Sequence, residues 1–156
     1  MKSFHPLKNT RLILFALALS ATATHSPASA SQGEDRLQRL QDTIAAGFAR
    51  ADASQLAAVF SVRMKTYVAC APLGVEDGYY GADQMQILLR RLFRGRTTAR
   101  FQILERAERA RTDGLAVLTA LWSYRQAGSP PAEIRLSFTL APEADAWHVR
   151  EIRDMK

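Results

Sequence analysis

Apolar residues in the first hundred positions recur at intervals of three and four, the spacing of one face of an α-helix. The pattern predicts helices over residues 34–50 and 53–60, and a third that begins near Gly81 and ends at Gly95. Asp52 is expected to cap the second helix, with Gln55 as its capping-box partner. The apolar faces consist of Leu37, Leu40, Ile44 and Phe48, then Leu56, Val59 and Phe60, then Met85, Leu88, Leu89 and Leu92.

The rest of the pattern alternates with a period of two, which predicts strands. They are expected over residues 62–70, 100–108, 115–126, 133–140 and 147–153, with a loop over 71–80 and turns at Thr112-Asp113-Gly114, at Gly128 and over 142–145. In the last strand Trp147 and Val149 share a face and Ile152 is out of phase, so a β-bulge near Arg150 is expected. The order of elements predicts an α+β domain in which three N-terminal helices pack on one face of a curved antiparallel sheet.

The first thirty residues have the pattern of an export signal. They contain no Asp or Glu, a basic start (Lys2, Lys8, Arg11), an apolar run over 12–23 and small residues over 28–30. About twelve apolar residues rise only ~18 Å as a helix, too short to cross a bilayer. We therefore expect a Sec signal peptide over residues 1–30, cleavage between Ala30 and Ser31, and a periplasmic or secreted domain over residues 31–156 with no stable membrane anchor.

Removal of this leader changes the charge of the protein. It leaves 18 Lys and Arg against 15 Asp and Glu, a net charge of +3 rather than +6. So small an excess gives no support for binding nucleic acid. Cys70 is the only cysteine, which excludes an intramolecular disulfide; it is expected to be buried and inert, with a reactive thiol as the alternative.

The chain resembles the NTF2-like superfamily of cone-shaped α+β barrels, which includes the SnoaL-like proteins. The features that carry the resemblance are the order of elements, the Tyr80-Gly81 entry to a helix that ends at Leu92-Phe93, the hairpins around Gly114 and Gly128, and the terminal segment 147–152. It is most similar to small exported bacterial domains of unassigned function of the DUF4783 kind. The resemblance implies a curved sheet around a long helix, an apolar pocket at one end of the cone, and frequent homodimers through the outer face of the sheet. The superfamily contains isomerases, dehydratases, cyclases and non-enzymatic binding proteins, so the fold alone does not select a function.

Few residues are suited to catalysis. His148 is the only histidine after the leader, and a histidine in a terminal strand is more often structural than a general base. Glu105 shares a predicted strand face with Phe101 and Ile103, where burial would raise its pKa; a bulge in the strand would instead expose it to solvent. One Cys and one His provide no metal-ligand spacing, and no cofactor-binding loop is present.

Aromatic residues offer a different signal, because their polar tips can orient a ligand in an apolar pocket. The predicted pocket residues are Tyr67, Tyr80, Leu104, Trp122, Tyr124 and Phe138. Packing in the core explains most of these residues equally well.

The segment 90–111 carries eight arginines against two glutamates. Such a charge could meet an anionic partner, although ion pairs on a solvated face explain it as well. The candidate anion-binding residues are Arg90, Arg91, Arg94 and Arg96.

Three functional hypotheses follow. The favoured one is an exported non-enzymatic domain that binds a small apolar ligand or a protein partner, including another copy of itself. The alternatives are a small isomerase, dehydratase or cyclase that uses Glu105 or His148, and an anion-binding module that uses the arginine-rich segment.

Overall fold

The computed structural model describes residues 27–109 and 114–155. Within these residues the helices are α1 (Pro27–Arg50), α2 (Ala53–Ala57) and α3 (Ala82–Phe93). The strands are β1 (Thr66–Ala69), β2 (Gly78–Tyr80), β3 (Arg96–Arg109), β4 (Leu115–Gln126), β5 (Ala132–Glu143) and β6 (Ala146–Met155), with a short 3-10 helix (Ala71–Leu73) between β1 and β2. The apolar run of the predicted leader, and Thr112 and Asp113 of the predicted hairpin turn, lie outside the described residues.

The helices occur where the apolar spacing predicted them, with two corrections to their bounds. α1 begins at Pro27 rather than at residue 34, because proline is well suited to the first helical position and the alanines at 28 and 30 are strong helix formers. α2 ends at Ala57, three residues earlier than predicted. Asp52 caps α2 as expected, since its carboxylate accepts hydrogen bonds from the backbone N–H groups of Ser54 and Gln55 at 3.0 and 2.9 Å. The Gln55 side chain does not complete a capping box and instead accepts a hydrogen bond from Arg50.

The sheet is mixed, which corrects the prediction of an antiparallel sheet. Its strand order is β2-β1-β6-β5-β4-β3. β3 to β6 form the predicted antiparallel meander, but β1 runs parallel to β6, with Tyr67 opposite Glu151. β2 and β3 are the edges, so the curved sheet does not close into a barrel.

Two predictions at the start of the sheet were wrong in detail. The strand expected over residues 62–70 pairs only from Thr66, because the Ser61 hydroxyl accepts the backbone N–H groups of Arg63 and Met64 and holds the chain in a turn. The loop expected over 71–80 contains β2, whose three residues pair with β1 through Tyr67 and Tyr79. A strand this short leaves no clear alternating pattern.

β-Bulges change which side chains face the helices. The register between β5 and β6 shifts where Arg150 stands unpaired between Val149 and Glu151, which confirms the predicted bulge and brings Ile152 inward. β3 has two further bulges, one at Ala99 and one at Leu104. After the second, Arg106 faces α1, where it forms an ion pair with Glu34 and a hydrogen bond with Gln38 at 3.0 Å.

The helices cover one face of the sheet, and the core lies between them. Gly47 lies in this core where α1 crosses α2. A Cβ atom added to Gly47 would lie 2.5 Å from Cγ of Leu56, closer than two carbon atoms can approach. Glycine is therefore required here by the contact between the helices.

We expect Gly47→Ala to lower the free energy of unfolding by up to about 2 kcal/mol. Alanine gains ~1 kcal/mol of helix propensity, but overpacking of a core costs about 1–3 kcal/mol and outweighs it. Urea denaturation of the two proteins measures the difference. Gly33→Ala is the matched control, because Gly33 is also in α1 and its added Cβ meets nothing within 4 Å. Equal stability of the Gly47→Ala variant and the parent would contradict the account.

Candidate functional site

The interior of the cone, where the resemblance implies an apolar pocket, is filled by aromatic side chains grouped around Phe48. The Phe48 ring stacks on Phe101 with centroids 4.4 Å apart. It also makes T-shaped contacts with the rings of Phe93, Trp122 and Phe138, with centroid distances of 5.6, 5.5 and 5.9 Å. The Trp122 indole N–H donates to Thr98 Oγ1 at 3.0 Å, so its one polar atom is satisfied inside the core.

Little space remains beside this cluster. The cavity between Phe48, Leu73, Leu89, Trp122 and Leu136 leaves about 10 Å³ open to a water-sized sphere, roughly the space of a single water molecule. Its lining carries no carboxylate and no imidazole. In this conformation the cone is a packed core and not a preformed ligand pocket.

The predicted pocket residues do not surround one cavity. Trp122 and Phe138 are buried in the aromatic cluster, and the Tyr124 ring lies 4.4 Å from that of Trp122. Tyr80 packs against the core from β2, and its hydroxyl donates to the Glu76 carbonyl. The other two lie elsewhere, Tyr67 on the far face of the sheet and Leu104 at the bulge in β3, where it is 44% exposed.

The predicted acid–base residues also lie outside the cone. The bulge at Leu104 places Glu105 opposite Thr119 on the face away from the helices, where it is exposed. The expectation that Glu105 shares a face with Phe101 was therefore wrong, and the alternative of a bulge holds. His148 is paired with Ala141 near the turn between β5 and β6, and it is half-buried.

Cys70 is buried in the core beside the cavity, as predicted for an inert thiol. Burial raises the pKa of its thiol from 9.0 to about 12, and the nearby Asp154 carboxylate adds to the rise. At neutral pH the group is therefore a thiol and not a thiolate, which is the reactive form.

The candidate anion-binding residues divide between two environments. Arg90, Arg91 and Arg94 are exposed at the end of α3. Arg96 is half-buried, donates to the Leu92 carbonyl at 2.9 Å and lies over the Tyr124 ring. Arg50, at the end of α1, lines an open groove together with Arg90 and Arg94. The sequence pattern did not predict this grouping, because Arg50 precedes Arg90 by forty residues.

The outer face of the sheet, opposite the helices, has an uncharged centre between charged strands. On β4 its side chains are Leu115, Val117 and Thr119, and on β5 they are Ser137, Thr139 and Ala141. Toward the other end of β5 the same face carries Arg135 opposite Leu121 and Glu133 opposite Ser123, which bound the uncharged centre there. Charged residues flank this centre on both sides, with Arg100 and Glu105 on β3 and Glu151 and Arg153 on β6. An uncharged centre within a charged rim is the usual composition of a protein–protein interface.

A groove continues this face toward the edge of the sheet. Met64, Tyr67 and Tyr79 line it together with Leu115 and Pro142. Tyr79 is 67% exposed and Met64 is 45% exposed, so large apolar side chains meet solvent here. Within residues 27–109 and 114–155 no group of acidic, His or Cys side chains is arranged to hold a metal ion, and no helix is long and apolar enough to cross a membrane.

Solved structures share this architecture. A DUF4783 family protein from Bacteroides uniformis gives a TM-score of 0.60 at 10% identity, over 74% of this chain and 94% of that one. An NTF-2-like protein of unknown function from Shewanella oneidensis gives 0.59 at 11% identity, over 80% and 99%. A hypothetical protein with a ketosteroid isomerase-like fold from Catenulispora acidiphila, solved in complex with trimethylamine, gives 0.57 at 12% identity, over 75% and 84%. No family model and no curated protein matches the sequence.

At these identities the likeness is one of fold. The chain has the NTF2-like α+β fold that the sequence resemblance predicted.

Because the Cys70 thiol is buried, we expect the free energy of unfolding to fall at alkaline pH. Because the pKa of Cys70 is higher in the folded state than in the unfolded chain, its contribution to stability is complete below pH 9 and is lost as pH rises toward 12. The slope can reach about 1.4 kcal/mol per pH unit. Urea denaturation at pH 8 and at alkaline pH should show a smaller loss of stability in Cys70→Ala than in the parent. Parallel losses in both proteins would contradict the burial of the thiol.

Proposed function

We propose that this chain is an exported, non-enzymatic NTF2-like domain that acts by binding a protein partner through the outer face of its sheet. Export rests on the leader: a basic start, a short apolar run and a small-residue cleavage site at Ala30. The observation that carries the binding proposal is the contrast between the two faces. One face is closed by the aromatic cluster around Phe48, whereas the other presents an uncharged centre within a charged rim.

The closed interior supports a binding role over catalysis. An enzyme of this shape needs an acid or a base inside the cone within reach of a substrate. Here the cavity lining is apolar apart from the Cys70 thiol, and Glu105 and His148 both lie outside the cone. The same closure favours a protein partner over a small apolar ligand, because a drug-sized ligand occupies a pocket of roughly 300 Å³ or more.

The first partner to consider is a second copy of the chain. A twofold interface places each outer face against the same face of another copy, so positive and negative groups of the rim can meet. β3 contributes Arg100 and Glu105 to the rim, and β6 contributes Glu151 and Arg153. Small side chains at the centre, such as Thr119 and Ser137, allow the two sheets to approach closely.

Val117→Lys tests this interface. Val117 lies between Ala107 and Thr139 at the uncharged centre, and in a twofold dimer the new charges would be desolvated close to each other. We expect at least a tenfold loss of dimer affinity, with little change in the stability of the monomer, because truncation or charging of a central interface residue costs about 2 kcal/mol or more. Sedimentation equilibrium over a range of concentrations gives the dimer affinity.

Ile87→Lys is the matched control. Ile87 is 50% exposed on α3, on the opposite side of the molecule from the outer face, and its substitution should leave dimer affinity unchanged. A parent chain that is monomeric at every concentration, or a dimer that Val117→Lys leaves intact, would overturn the second-copy interface.

A further inference from the structure

A second groove lies between the chain that follows α2 and the turn that joins β5 to β6. Its volume is about 440 Å³, and its lining includes Val62, Glu143, Ala146 and His148. Val62 is 92% exposed, so the groove has an apolar side that meets solvent. It shares no lining residue with the aromatic interior, and it adjoins the outer face at Ala141, the cross-strand partner of His148.

The turn at Ser61 opens this groove. Phe60 forms a single bridge with Val149, and the Val149 N–H donates to the Val59 carbonyl at 2.9 Å. The chain then turns away at Ser61, contacts β6 again through the side chains of Met64 and Thr66, and resumes strand pairing where Tyr67 lies opposite Glu151. Among the described residues, no strand pairs with Ala146–His148 on the side of β6 away from β5.

Two buried polar atoms of residues that line this groove have no hydrogen-bond partner within residues 27–109 and 114–155. They are Oε2 of Glu143 and Nδ1 of His148. In the β5–β6 ladder Glu143 is opposite Ala146 and His148 is opposite Ala141, so the two side chains are diagonal neighbours on one face of the hairpin. Buried polar atoms in folded proteins are nearly always hydrogen-bonded, and a pair left without partners in one groove indicates that something else supplies the bonds.

We propose that this groove binds the ammonium group of an alkylamine between Glu143 and His148. An ammonium group offers three N–H donors. The Glu143 carboxylate accepts one, and His148 Nδ1 accepts another when the imidazole proton is on Nε2. Val62 and Ala146 then lie alongside the carbon chain of the ligand.

Acidic and basic groups are present at the groove in equal number. Its lining includes the carboxylates of Glu143 and Asp145 and the guanidinium group of Arg63, and the guanidinium group of Arg36 lies beside Asp145. Asp145 is 3.6 Å from Arg36 of α1, which leaves Glu143 as the carboxylate available to the ligand. The amine can be a free small molecule or a lysine side chain of a protein, since both present the same group.

Imidazole NMR of the exported, ¹⁵N-labelled chain tests the proposal. His148 is the only histidine after residue 30, so its two ring nitrogens report directly on the groove. The signals are assigned by their loss in His148→Gln. Titration at pH 7.5 with n-butylamine should shift the Nδ1 signal to saturation, whereas butyrate, which has the opposite charge, should not.

Glu143→Gln should weaken n-butylamine binding about tenfold or more, because a hydrogen bond to a charged group is lost. Glu133→Gln is the matched control, since Glu133 is on the same strand but is bonded to Ser123 outside the groove. Ala146→Met narrows the groove without removing a polar group and should also weaken binding. A tighter complex with Nα-acetyl-lysine amide than with n-butylamine would identify a lysine side chain as the natural source of the amine.

The proposal is overturned if n-butylamine causes no saturable shift, if butyrate binds equally well, or if Glu143→Gln binds as tightly as the parent. None of these results bears on the dimer interface, whose test uses residues of β4.

Discussion

The contact between Phe48 and the sheet determines the rest of this structure. Phe48 is the last apolar residue of the α1 stripe, and its ring meets four other aromatic rings from α3, β3, β4 and β5. Aromatic pairs of this kind contribute about 0.5–1.5 kcal/mol each beyond the burial of their surface. The cluster therefore fixes α1 against the sheet and, in the same step, fills the cone. The interior of the cone is thus occupied by the protein's own side chains.

Much of the fold could be predicted because its elements are long and strongly patterned. β4 has the predicted bounds, since Leu118, Ala120 and Trp122 alternate with half-buried residues along twelve positions. The bulge at Arg150 was also predictable, because Val149 and Ile152 can face one core only if a residue is inserted between them. The three-residue β2 and the parallel pairing of β1 with β6 were not, because a short strand has no readable period and the direction of pairing depends on contacts distant in the sequence.

The candidate sites were harder to predict from the sequence than the fold was. A bulge at Leu104 moves Glu105 from the expected inner face to the outer one, and the sequence alone leaves both outcomes open. The groove of Glu143 and His148 depends on the register of one hairpin and on a turn at Ser61 that lies more than eighty residues earlier. Aromatic residues gave an ambiguous signal, because Trp122 has the same sequence environment whether it fills a core or lines a pocket.

The central claim is that the cone is closed by its own aromatic core and that binding takes place outside it. Native mass spectrometry of the chain, purified after export with no ligand added, tests this claim most directly. The account predicts the mass of the polypeptide alone, in single or paired copies. A co-purified small molecule that is retained in Val117→Lys but lost in Trp122→Leu, with circular dichroism showing that both variants are folded, would place a ligand in the cone and contradict the account.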